Sequence, residues 1–299
     1  VCSSDLNDID EEGEWVTPWA QHPTVANTLF AGFKNVWKST NRGNSWNKIS
    51  DFNIGGLTIL KVAKSNPSYL YVSNSSSIHR TTDGGATWEK ILYISETAGC
   101  SEVIMDPTNS NRLYASTWEF KRTPYSFNSG GKGSAIYKSE DAGKTWRKLS
   151  NGLPEGDFGR VALALAPSEP NNLLAIVESK KTGLYISADG GETWKNQSSS
   201  NNVCARPFYF STIVVDPKDS KRVYRPAYTF SISKDGGYSF IEPQYFAGIH
   251  PDHHTLWINP ANTSHLLLGT DGGLYQSLDK GNSWTFLDRK STRLNSSHQ

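Results

Sequence analysis

Arginine, tyrosine and histidine side chains stand just before several stretches that show the alternation of β-strands. Arg160 follows Asp157-Phe-Gly, a second arginine opens Arg206-Pro-Phe-Tyr209, and three of the seven histidines lie between positions 250 and 254. Guanidinium groups bind carboxylates through paired hydrogen bonds, and imidazole titrates near neutral pH. The candidates for contacting a ligand are therefore Arg160, Arg206, Tyr209, His253 and His254.

Four carboxylates at comparable places are candidates for acid and base catalysis. Two of them lie in predicted second strands, in Trp118-Glu-Phe-Lys121 and Ile176-Val-Glu178, and two lie in or near the last repeat. A carboxylate pair can cleave a glycosidic bond, with retention at a separation of about 5 Å and inversion at roughly 6.5 to 9.5 Å. The candidate catalytic residues are Glu119, Glu178, Asp252 and Asp271.

The histidine segment also raises the question of a metal ion. His250, Asp252, His253 and His254 are residue types that bind divalent cations. Neighbouring side chains of an extended strand point to opposite faces, so at most one of His253 and His254 can share a site with Asp252. We expect no metal site and no cofactor. We expect these histidines to form hydrogen bonds or to line a channel.

A six-fold repeated phrase must position these candidates. In each copy Ser or Thr, then Asp or Asn, then Gly, then Ser or Thr, then an aromatic residue follow at fixed steps, as in Thr81-Thr-Asp-Gly-Gly-Ala-Thr-Trp88. Successive acidic or amide positions are 42, 58, 48, 46 and 44 residues apart, which is the spacing of propeller blades. These structural positions are Asn41, Asp83, Asp141, Asp189, Asp235 and Asp279.

Each slot of the phrase has a physical reason. A short carboxylate or amide can accept hydrogen bonds from the backbone N–H groups one and two residues further on, and Gly supplies a positive φ. The aromatic residue then opens the next strand and packs into the core. The phrase therefore predicts a hairpin corner, and we expect its tryptophans to be structural: Trp46, Trp88, Trp146, Trp194 and Trp284.

A second recurring element lies about half a repeat before each phrase. It is an apolar stretch that ends at proline, as in Val103-Ile-Met-Asp-Pro107 and Ile213-Val-Val-Asp-Pro217, followed by a polar turn and a short apolar strand. Proline ends a strand because it has no N–H to donate. Each repeat thus predicts four short strands, and no stretch has sustained helical periodicity. We predict an all-β propeller with six visible four-stranded blades.

The two ends differ from the repeats. Residues 1–6 and 288–299 resemble translated sequencing adapters, so we interpret them as cloning scars that flank a single partial propeller domain at 7–287. The native chain is then expected to be longer, with the missing blades of a seven-bladed ring or a second propeller in tandem.

Composition excludes some classes of partner. Lys plus Arg number 30 and Asp plus Glu 29, with no long basic run, which argues against nucleic-acid binding. No apolar stretch in this fragment approaches the length of a membrane span. Cys100 and Cys204 stand in separate repeats and are expected to be free thiols.

The repeated phrases resemble Asp boxes, also called BNR repeats, which occur in sialidases, family 74 xyloglucan-cleaving hydrolases and sortilin-type propellers. The stretch from about Trp88 to Phe286 is most similar to sortilin-like or glycosyl-hydrolase BNR proteins. The segments that carry this resemblance are Gly152-Leu-Pro-Glu-Gly156, Arg206-Pro-Phe-Tyr209, Asp252-His-His-Thr-Leu-Trp257 and Leu268-Gly-Thr-Asp-Gly-Gly-Leu-Tyr275.

The resemblance implies an extracytoplasmic or secreted protein whose ligand site lies where inner strands begin, away from the Asp boxes. A true sialidase is disfavoured, because its Arg-Ile-Pro motif is absent and the nearest string is Tyr224-Arg-Pro226. Two functions remain open. One is a glycoside hydrolase acting on a polysaccharide or glycoconjugate; the other is a non-catalytic, sortilin-like propeller that binds a peptide, protein or glycan.

Overall fold

The computed structural model describes residues 6, 8–14, 16–210, 212–243 and 248–289. The chain divides into two compact units, residues 1–148 and 149–299, and each is described by itself. Most of the predicted adapter residues lie outside the described ranges. Leu6 packs beside the cluster of Ala31, Phe33 and Trp46, and the last strand continues to Arg289.

The first unit holds three antiparallel sheets in chain order. The first two sheets have four strands each, and the third has five because an extra strand, β11, pairs with β10. The strands are β1 (Trp19–Gln21), β2 (Leu29–Gly32), β3 (Val36–Ser39), β4 (Asn47–Lys48), β5 (Ile59–Val62), β6 (Leu70–Ser73), β7 (Ser77–Thr81), β8 (Glu89–Tyr93), β9 (Ala98–Met105), β10 (Leu113–Thr123), β11 (Ser126–Ser129), β12 (Ala135–Ser139) and β13 (Arg147–Leu149).

The second unit holds the fourth, fifth and sixth sheets, with four, three and four strands. Its elements are β14 (Val161–Ala166), β15 (Glu169–Val177), β16 (Gly183–Ser187), β17 (Lys195–Ser198), α1 (Asn201–Cys204), β18 (Val214–Asp216), β19 (Asp219–Pro226), β20 (Phe230–Ser233), β21 (His253–Ile258), β22 (Leu266–Thr270), β23 (Gly273–Ser277) and β24 (Thr285–Arg289). Within the described residues no helix is long and apolar enough to cross a membrane.

Within each unit, neighbouring sheets pack face to face through apolar side chains. In the first unit, Phe30 and Val36 of the first sheet meet Leu70 of the second. In the second unit, Ala162 of the fourth sheet meets Val223 of the fifth. Burying an aliphatic side chain of this size contributes about 1.5–3 kcal/mol, so the faces between sheets are the main stabilising contacts. Six successive antiparallel sheets, stacked in this way within their units, are the blades of an all-β propeller.

The predicted hairpin corners are present in all six sheets, between the third and fourth strands or, in the fifth sheet, after the third. At the second corner the Thr81 hydroxyl donates to Asp83 Oδ1 (2.6 Å) and Gly85 N–H donates to Thr81 Oγ1 (3.0 Å). Thr87 donates its N–H to Asp83 Oδ1 (2.9 Å) and its hydroxyl to Oδ2 (2.5 Å). At the other corners the hydroxyl two residues before and the N–H four residues after the acidic or amide position donate to it in the same way. These positions are Asn41, Asp141, Asp189, Asp235 and Asp279.

One detail of the predicted corner was wrong. The carboxylate accepts from the residue four positions on, and not from those one and two positions on. The reason is local backbone geometry: Gly84 and Gly85 both have positive φ, of 75° and 105°, so the chain folds back and brings Thr87 to Asp83. At other corners a non-glycine residue occupies the first of these two positions and also has a positive φ, as Ala142 does with φ 62°.

Four further details differ from the predicted pattern. The fifth sheet has three strands, and only a bridge between Ile232 and Ile241 stands where its fourth is expected. A single helical turn, α1, occurs in the second unit and is too short to show periodicity in sequence. The fourth strand begins one residue after the aromatic, and only Trp46 and Trp194 are fully buried among the corner tryptophans.

Candidate functional site

The candidate residues lie at the end of each sheet that is remote from its corner. Because the strands are antiparallel, the start of the first strand and the connection between the second and third strands share one end, while the Asp-box corner lies at the other. We call these the loop end and the corner end of a sheet. Arg160 precedes β14, Glu178 follows β15, and Asp271 lies between β22 and β23.

Arg160 and Glu178 close the loop end of the fourth sheet. Arg160 N–H donates to Glu178 Oε2 (2.7 Å), and Glu178 N–H donates to the Arg160 carbonyl (3.0 Å). A Cβ on Gly159 would stand 2.2 Å from Glu178 Oε2, so a larger residue there would displace this carboxylate. One carboxylate oxygen of Glu178 is therefore fixed by the backbone.

The Arg160 guanidinium donates hydrogen bonds to the segment that leads into the fifth sheet. Its Nη1 donates to the carbonyls of Phe208 (3.0 Å) and Tyr209 (3.4 Å). The side chain proposed to bind a ligand carboxylate thus also holds the neighbouring loop in place. The loop carries Tyr209, which is 57% exposed and whose ring centroid lies 5.0 Å from that of Phe208.

A second arginine, Arg225, also donates hydrogen bonds to this segment. It was not identified as functional from the sequence. It is fully buried in β19 and donates to the carbonyls of Val203 (2.9 Å), Thr212 (3.1 Å), Pro226 (2.7 Å) and Phe210. Burial lowers the pKa of Arg225 to about 10. Among the described residues no carboxylate forms an ion pair with it. The segment 203–212 is therefore held by two arginines acting on backbone carbonyls.

The other candidate of this segment, Arg206, is exposed and has a left-handed backbone with φ 46°. Its carbonyl accepts the N–H groups of Tyr209 and Phe210, both at 2.9 Å, so residue 206 forms the turn that lifts Tyr209 to the surface. A left-handed backbone at a non-glycine residue is uncommon and here belongs to the loop that carries the exposed tyrosine.

The two adjacent histidines of β21 point to opposite faces, as the sequence predicted. His253 is buried, lies edge-on to Phe230 at 6.2 Å, and has its pKa lowered by burial. His254 faces solvent and its Nε2 lies 2.7 Å from Asp271 Oδ1, with both side chains 56% exposed. Of these two histidines, only His254 is exposed at the surface.

The backbones of Asp252 and Asp271 are joined at the loop end of the sixth sheet. Asp271 N–H donates to the Asp252 carbonyl (3.3 Å), and Asp252 has a left-handed φ of 63°. Beside them His250 N–H donates to Tyr275 Oη (3.2 Å). In the described part of the chain, no three His, Cys, Asp or Glu side chains are grouped as a metal ion would require.

Glu119 belongs to the first unit, at the loop end of the third sheet. Its Oε2 accepts the Gly133 N–H (2.9 Å), and its own N–H donates to Ser134 Oγ (2.8 Å). It thereby fastens the turn that leads into β12. Glu119 and Glu178 each give one carboxylate oxygen to a backbone N–H.

A groove that the sequence did not predict lies between the first and second sheets. It encloses about 690 Å³ and is lined by the aromatic pair Phe52 and Trp88, whose ring centroids are 5.2 Å apart, together with His79, Lys48 and Lys90. The indole of Trp88 donates to the Ile49 carbonyl (2.8 Å). The groove includes Gly85 and Ala86 of the second corner. None of the candidate catalytic or ligand-binding residues lines it.

Comparison with known proteins relates the chain to xyloglucan-cleaving enzymes. It is 23% identical over 301 residues to the probable oligoxyloglucan-reducing end-specific xyloglucanase of Neosartorya fischeri, covering 86% of this chain and 36% of that protein. The chain therefore spans about a third of the length of this curated relative.

Two solved structures share the fold. An ancestral GH74 enzyme matches with a TM-score of 0.72 and 18% identity over 95% of this chain and 40% of that one. YCF48 bound to D1 peptide matches with a TM-score of 0.57 and 16% identity over 93% of this chain and 86% of that one. At these identities the likeness concerns the fold.

The sequence interpretation of an Asp-box propeller related to GH74 proteins is thus confirmed. A family model described as Sortilin-Vps10, "Sortilin, neurotensin receptor 3", matches residues 34–182 and, in a second alignment, 76–229. Together these matches cover more than half of the sequence. The chain belongs to the Sortilin-Vps10 family.

Proposed function

We propose that this chain binds a polysaccharide of the xyloglucan type at the loop ends of the sheets in its second unit. The observation that carries the proposal is the pair of arginines that fix segment 203–212 and leave Tyr209 at the surface. An aromatic residue whose backbone is held in advance by hydrogen bonds binds a ligand at a smaller entropic cost than one on an unordered loop. The curated relative named above as a xyloglucanase supports this class of ligand.

The chemistry of the loop ends fits a neutral sugar chain. Sugar rings offer an apolar face to an aromatic ring and hydroxyl groups to polar side chains. Tyr209 supplies the ring, while Asp271 and His254, paired at 2.7 Å, supply an acceptor and an imidazole nitrogen. A few polar groups beside an aromatic surface are typical of small-ligand sites.

The direct test is binding of xyloglucan oligosaccharides by titration calorimetry. Tyr209→Ala should lower the affinity about tenfold or more, because it removes the proposed stacking surface. Tyr238→Ala is the matched control, since Tyr238 is 62% exposed at the corner end of the fifth sheet. Equal affinities for Tyr209→Ala and the unchanged chain would refute the proposed site.

We propose hydrolysis as a second activity of the same site, and we favour one carboxylate pair for it. Glu119 and Glu178 each have an oxygen committed to a backbone N–H, whereas Asp271 Oδ1 lies beside an imidazole, that of His254, and the Asp271 N–H donates to the Asp252 carbonyl. We propose Asp252 and Asp271 as the acid and base or nucleophile within the larger candidate set. Asp252→Asn and Asp271→Asn should abolish reducing-sugar release from xyloglucan while oligosaccharide binding persists, because the amide oxygen of asparagine still accepts a hydrogen bond from a sugar hydroxyl.

A peptide ligand is the alternative, and the neighbour YCF48 bound to D1 peptide is the observation that favours it. An extended peptide would use the same exposed tyrosine and the same surface charges. A peptide library that competes with xyloglucan oligosaccharides for the chain, in a Tyr209-dependent way, would support this alternative. Peptide binding without any glycan binding would replace the polysaccharide proposal.

We also propose that residues 7–287 are the native propeller domain, that the flanking segments are adapter-derived, and that the protein works outside the cytoplasm, where polysaccharide ligands occur. The missing blades or a second propeller would lie in the rest of the native chain. Sequencing the gene from its source should give different residues at 1–6 and 288–299. Unchanged residues there would refute the adapter interpretation.

A further inference from the structure

The groove between the first and second sheets forms where the first sheet has a short fourth strand. Strand β4 has two residues, whereas the corresponding strand β8 of the second sheet has five. After β4 the chain turns, and the Phe52 N–H donates to Asn35 Oδ1 (2.6 Å). A groove of about 690 Å³ lies here, and both Lys48 of β4 and Lys90 of β8 line it. This volume lies within the range of small-molecule sites, about 300–1,000 Å³. We call it the inter-sheet groove.

Part of the inter-sheet groove is aromatic. Phe52 and Trp88 are half-buried, and the Phe52 ring centroid lies 5.2 Å from that of Trp88 and 5.1 Å from that of His79. The Trp88 indole is fixed by its hydrogen bond to the Ile49 carbonyl. Because these rings are ordered in advance, they can bury a flat apolar ligand at a smaller entropic cost than mobile side chains.

His79 gives the groove a hydrogen-bond acceptor. It lines the groove and is 9% exposed. Asn74 Oδ1 accepts the N–H groups of Ser76 (3.0 Å) and Ser77 (2.8 Å), which fixes the orientation of the amide. The Ser77 hydroxyl therefore donates to the same oxygen (3.0 Å) and accepts from His79 Nε2–H (3.0 Å). The lone pair of the imidazole is then on Nδ1, which has no hydrogen-bond partner within the described residues.

The neutral form of His79 fits this role. Burial lowers the pKa of His79, and the charge of Lys90 lowers it further. The ring is therefore uncharged at pH 7, and its Nδ1 accepts a hydrogen bond and does not donate one. A ligand that meets this nitrogen must bring a donor such as a hydroxyl group.

The charged residues of the groove leave one positive charge unbalanced. They are Lys48, Asp51 and Lys90, and Lys48 Nζ lies 3.4 Å from Asp51 Oδ1. Lys90 is paired across the sheet with His79, so both side chains lie on one face. Lys90 Nζ is 5.2 Å from the Tyr93 ring centroid, and among the described residues no carboxylate forms an ion pair with it. Such a groove attracts an anion.

We infer that the inter-sheet groove binds a small aromatic carboxylate that also carries a hydroxyl group. The ring of the ligand packs against Phe52 and Trp88, its hydroxyl donates to His79 Nδ1, and its carboxylate lies near the Lys90 ammonium. The site belongs to the first unit and shares no residue with the proposed polysaccharide site. It is therefore a further binding function of the chain.

The combination of groups selects this chemical class over simpler ligands. An inorganic anion would use Lys90 and leave the two aromatic rings uncovered. A neutral sugar would leave the charge of Lys90 without a counter-charge. A molecule with a ring, a hydroxyl and a carboxylate uses all three features at once, and its affinity should fall when any one of them is removed.

Three related ligands test this inference on the unchanged chain. The probe is 4-hydroxybenzoate, compared with benzoate, which has no hydroxyl group, and with 4-hydroxybenzamide, which has no charge. Titration calorimetry of the whole chain at pH 7 should give a dissociation constant for 4-hydroxybenzoate on the order of 1 mM or tighter. Removing the hydroxyl or the charge should weaken binding about tenfold each, the value of one well-made hydrogen bond or charged contact.

Two variants assign these contacts to residues. His79→Phe keeps a ring but removes the acceptor, so it should weaken 4-hydroxybenzoate about tenfold and leave benzoate unchanged. Lys90→Gln should weaken both carboxylates about tenfold and leave 4-hydroxybenzamide unchanged. Lys144→Gln is the matched control, because Lys144 is exposed at the third corner and does not line the groove. Circular dichroism checks the fold of each variant; if His79→Phe is unfolded, the three ligands still decide the question.

Four outcomes would overturn the inference. The first is no binding of 4-hydroxybenzoate at about 10 mM. The second is equal affinity for 4-hydroxybenzoate and benzoate, since His79 would then accept nothing from the ligand. The third is equal affinity for 4-hydroxybenzoate and 4-hydroxybenzamide, which would remove the role of charge. The fourth is an equal loss of affinity in Lys90→Gln and Lys144→Gln, which would place the ligand outside the inter-sheet groove.

Discussion

At the corner ends all six sheets form hydrogen bonds between the same positions of the phrase, whereas at the loop ends the three sheets of the second unit are each closed differently. The corner of the fourth sheet repeats the Ser–Asp–Gly–Thr bonds of the other five around Asp189. Its loop end instead uses Arg160 and Glu178, the fifth sheet uses Arg225, and the sixth uses Asp252 and Asp271.

This contrast separates what the repeat encodes from what varies for function. The side-chain bonds of a corner join residues within one short phrase, and a single backbone bond, such as that from Gly190 N–H to the Asn171 carbonyl, ties the corner to the rest of its sheet. A loop end is built from residues far apart in the chain, as when Arg160 reaches Tyr209. Loops on a rigid scaffold are where binding residues concentrate. The comparison predicts that corner substitutions affect stability and that loop-end substitutions affect ligand binding, with one exception.

The exception gives the largest expected effect. Arg225 is a loop-end anchor that is fully buried, so Arg225→Met should destabilise the chain by about 3 kcal/mol, because four backbone carbonyls lose a buried donor. Urea unfolding measures this change. The exposed Arg206→Ala is the matched control and should shift stability by less than about 0.5 kcal/mol. Equal effects for the two would mean that the clamp on segment 203–212 contributes nothing.

The corner carboxylates give the next effect. At Asp189, burial raises the pKa, but hydrogen bonds from Thr193 and Ser187 outweigh it and hold the pKa at about 2. Because the folded pKa lies below the unfolded value of about 3.9, the corner stabilises the fold above pH 4 to 5 and loses this contribution as the pH falls towards 2. Asp189→Ala should therefore cost about 1–2 kcal/mol at pH 7 and less at pH 2.5.

The first corner supplies the control for this experiment. Asn41 makes the same contacts without a charge: its Oδ1 accepts from Ser39 and from the Ser45 N–H, and its amide donates to Ser45 Oγ. Asp189→Asn should accordingly cost less than Asp189→Ala at pH 7 and should remove one of five titrating corners from the acid unfolding curve. A loss equal to that of alanine would show that the charge, and not the geometry, stabilises the corner.

The contrast between corner ends and loop ends also explains which features could be predicted from the sequence. The corners, the prolines that end inner strands and the opposite faces of His253 and His254 follow from local patterns, and all are present. The β10–β11 hairpin left only a length signal, the interval of 58 residues. A corner phrase around Asp235 does not specify the strand after it, so the three-stranded fifth sheet was not foreseen.

The backbone contacts of Arg160 and Arg225 could not be predicted from local sequence patterns either. Arg225 stands between Tyr224 and Pro226 in a strand, and nothing nearby in sequence shows that carbonyls of residues 203–212 satisfy it. Arg160 was expected to meet a ligand, and no pattern reveals that it meets the carbonyls of Phe208 and Tyr209. A buried charge needs partners, and these partners come from a segment more than ten residues away.

The smallest effect on stability should come from the loop end of the sixth sheet. Asp271 and His254 form a pair that is exposed on both sides, and exposed pairs contribute about 0–1 kcal/mol. Asp271→Asn should therefore leave the urea midpoint within error of the unchanged chain, while reducing-sugar release from xyloglucan is lost. If Asp271→Asn destabilises the fold as much as Asp189→Ala, the loop end is a structural element like the corner, and the division of labour between the two ends of a sheet does not hold.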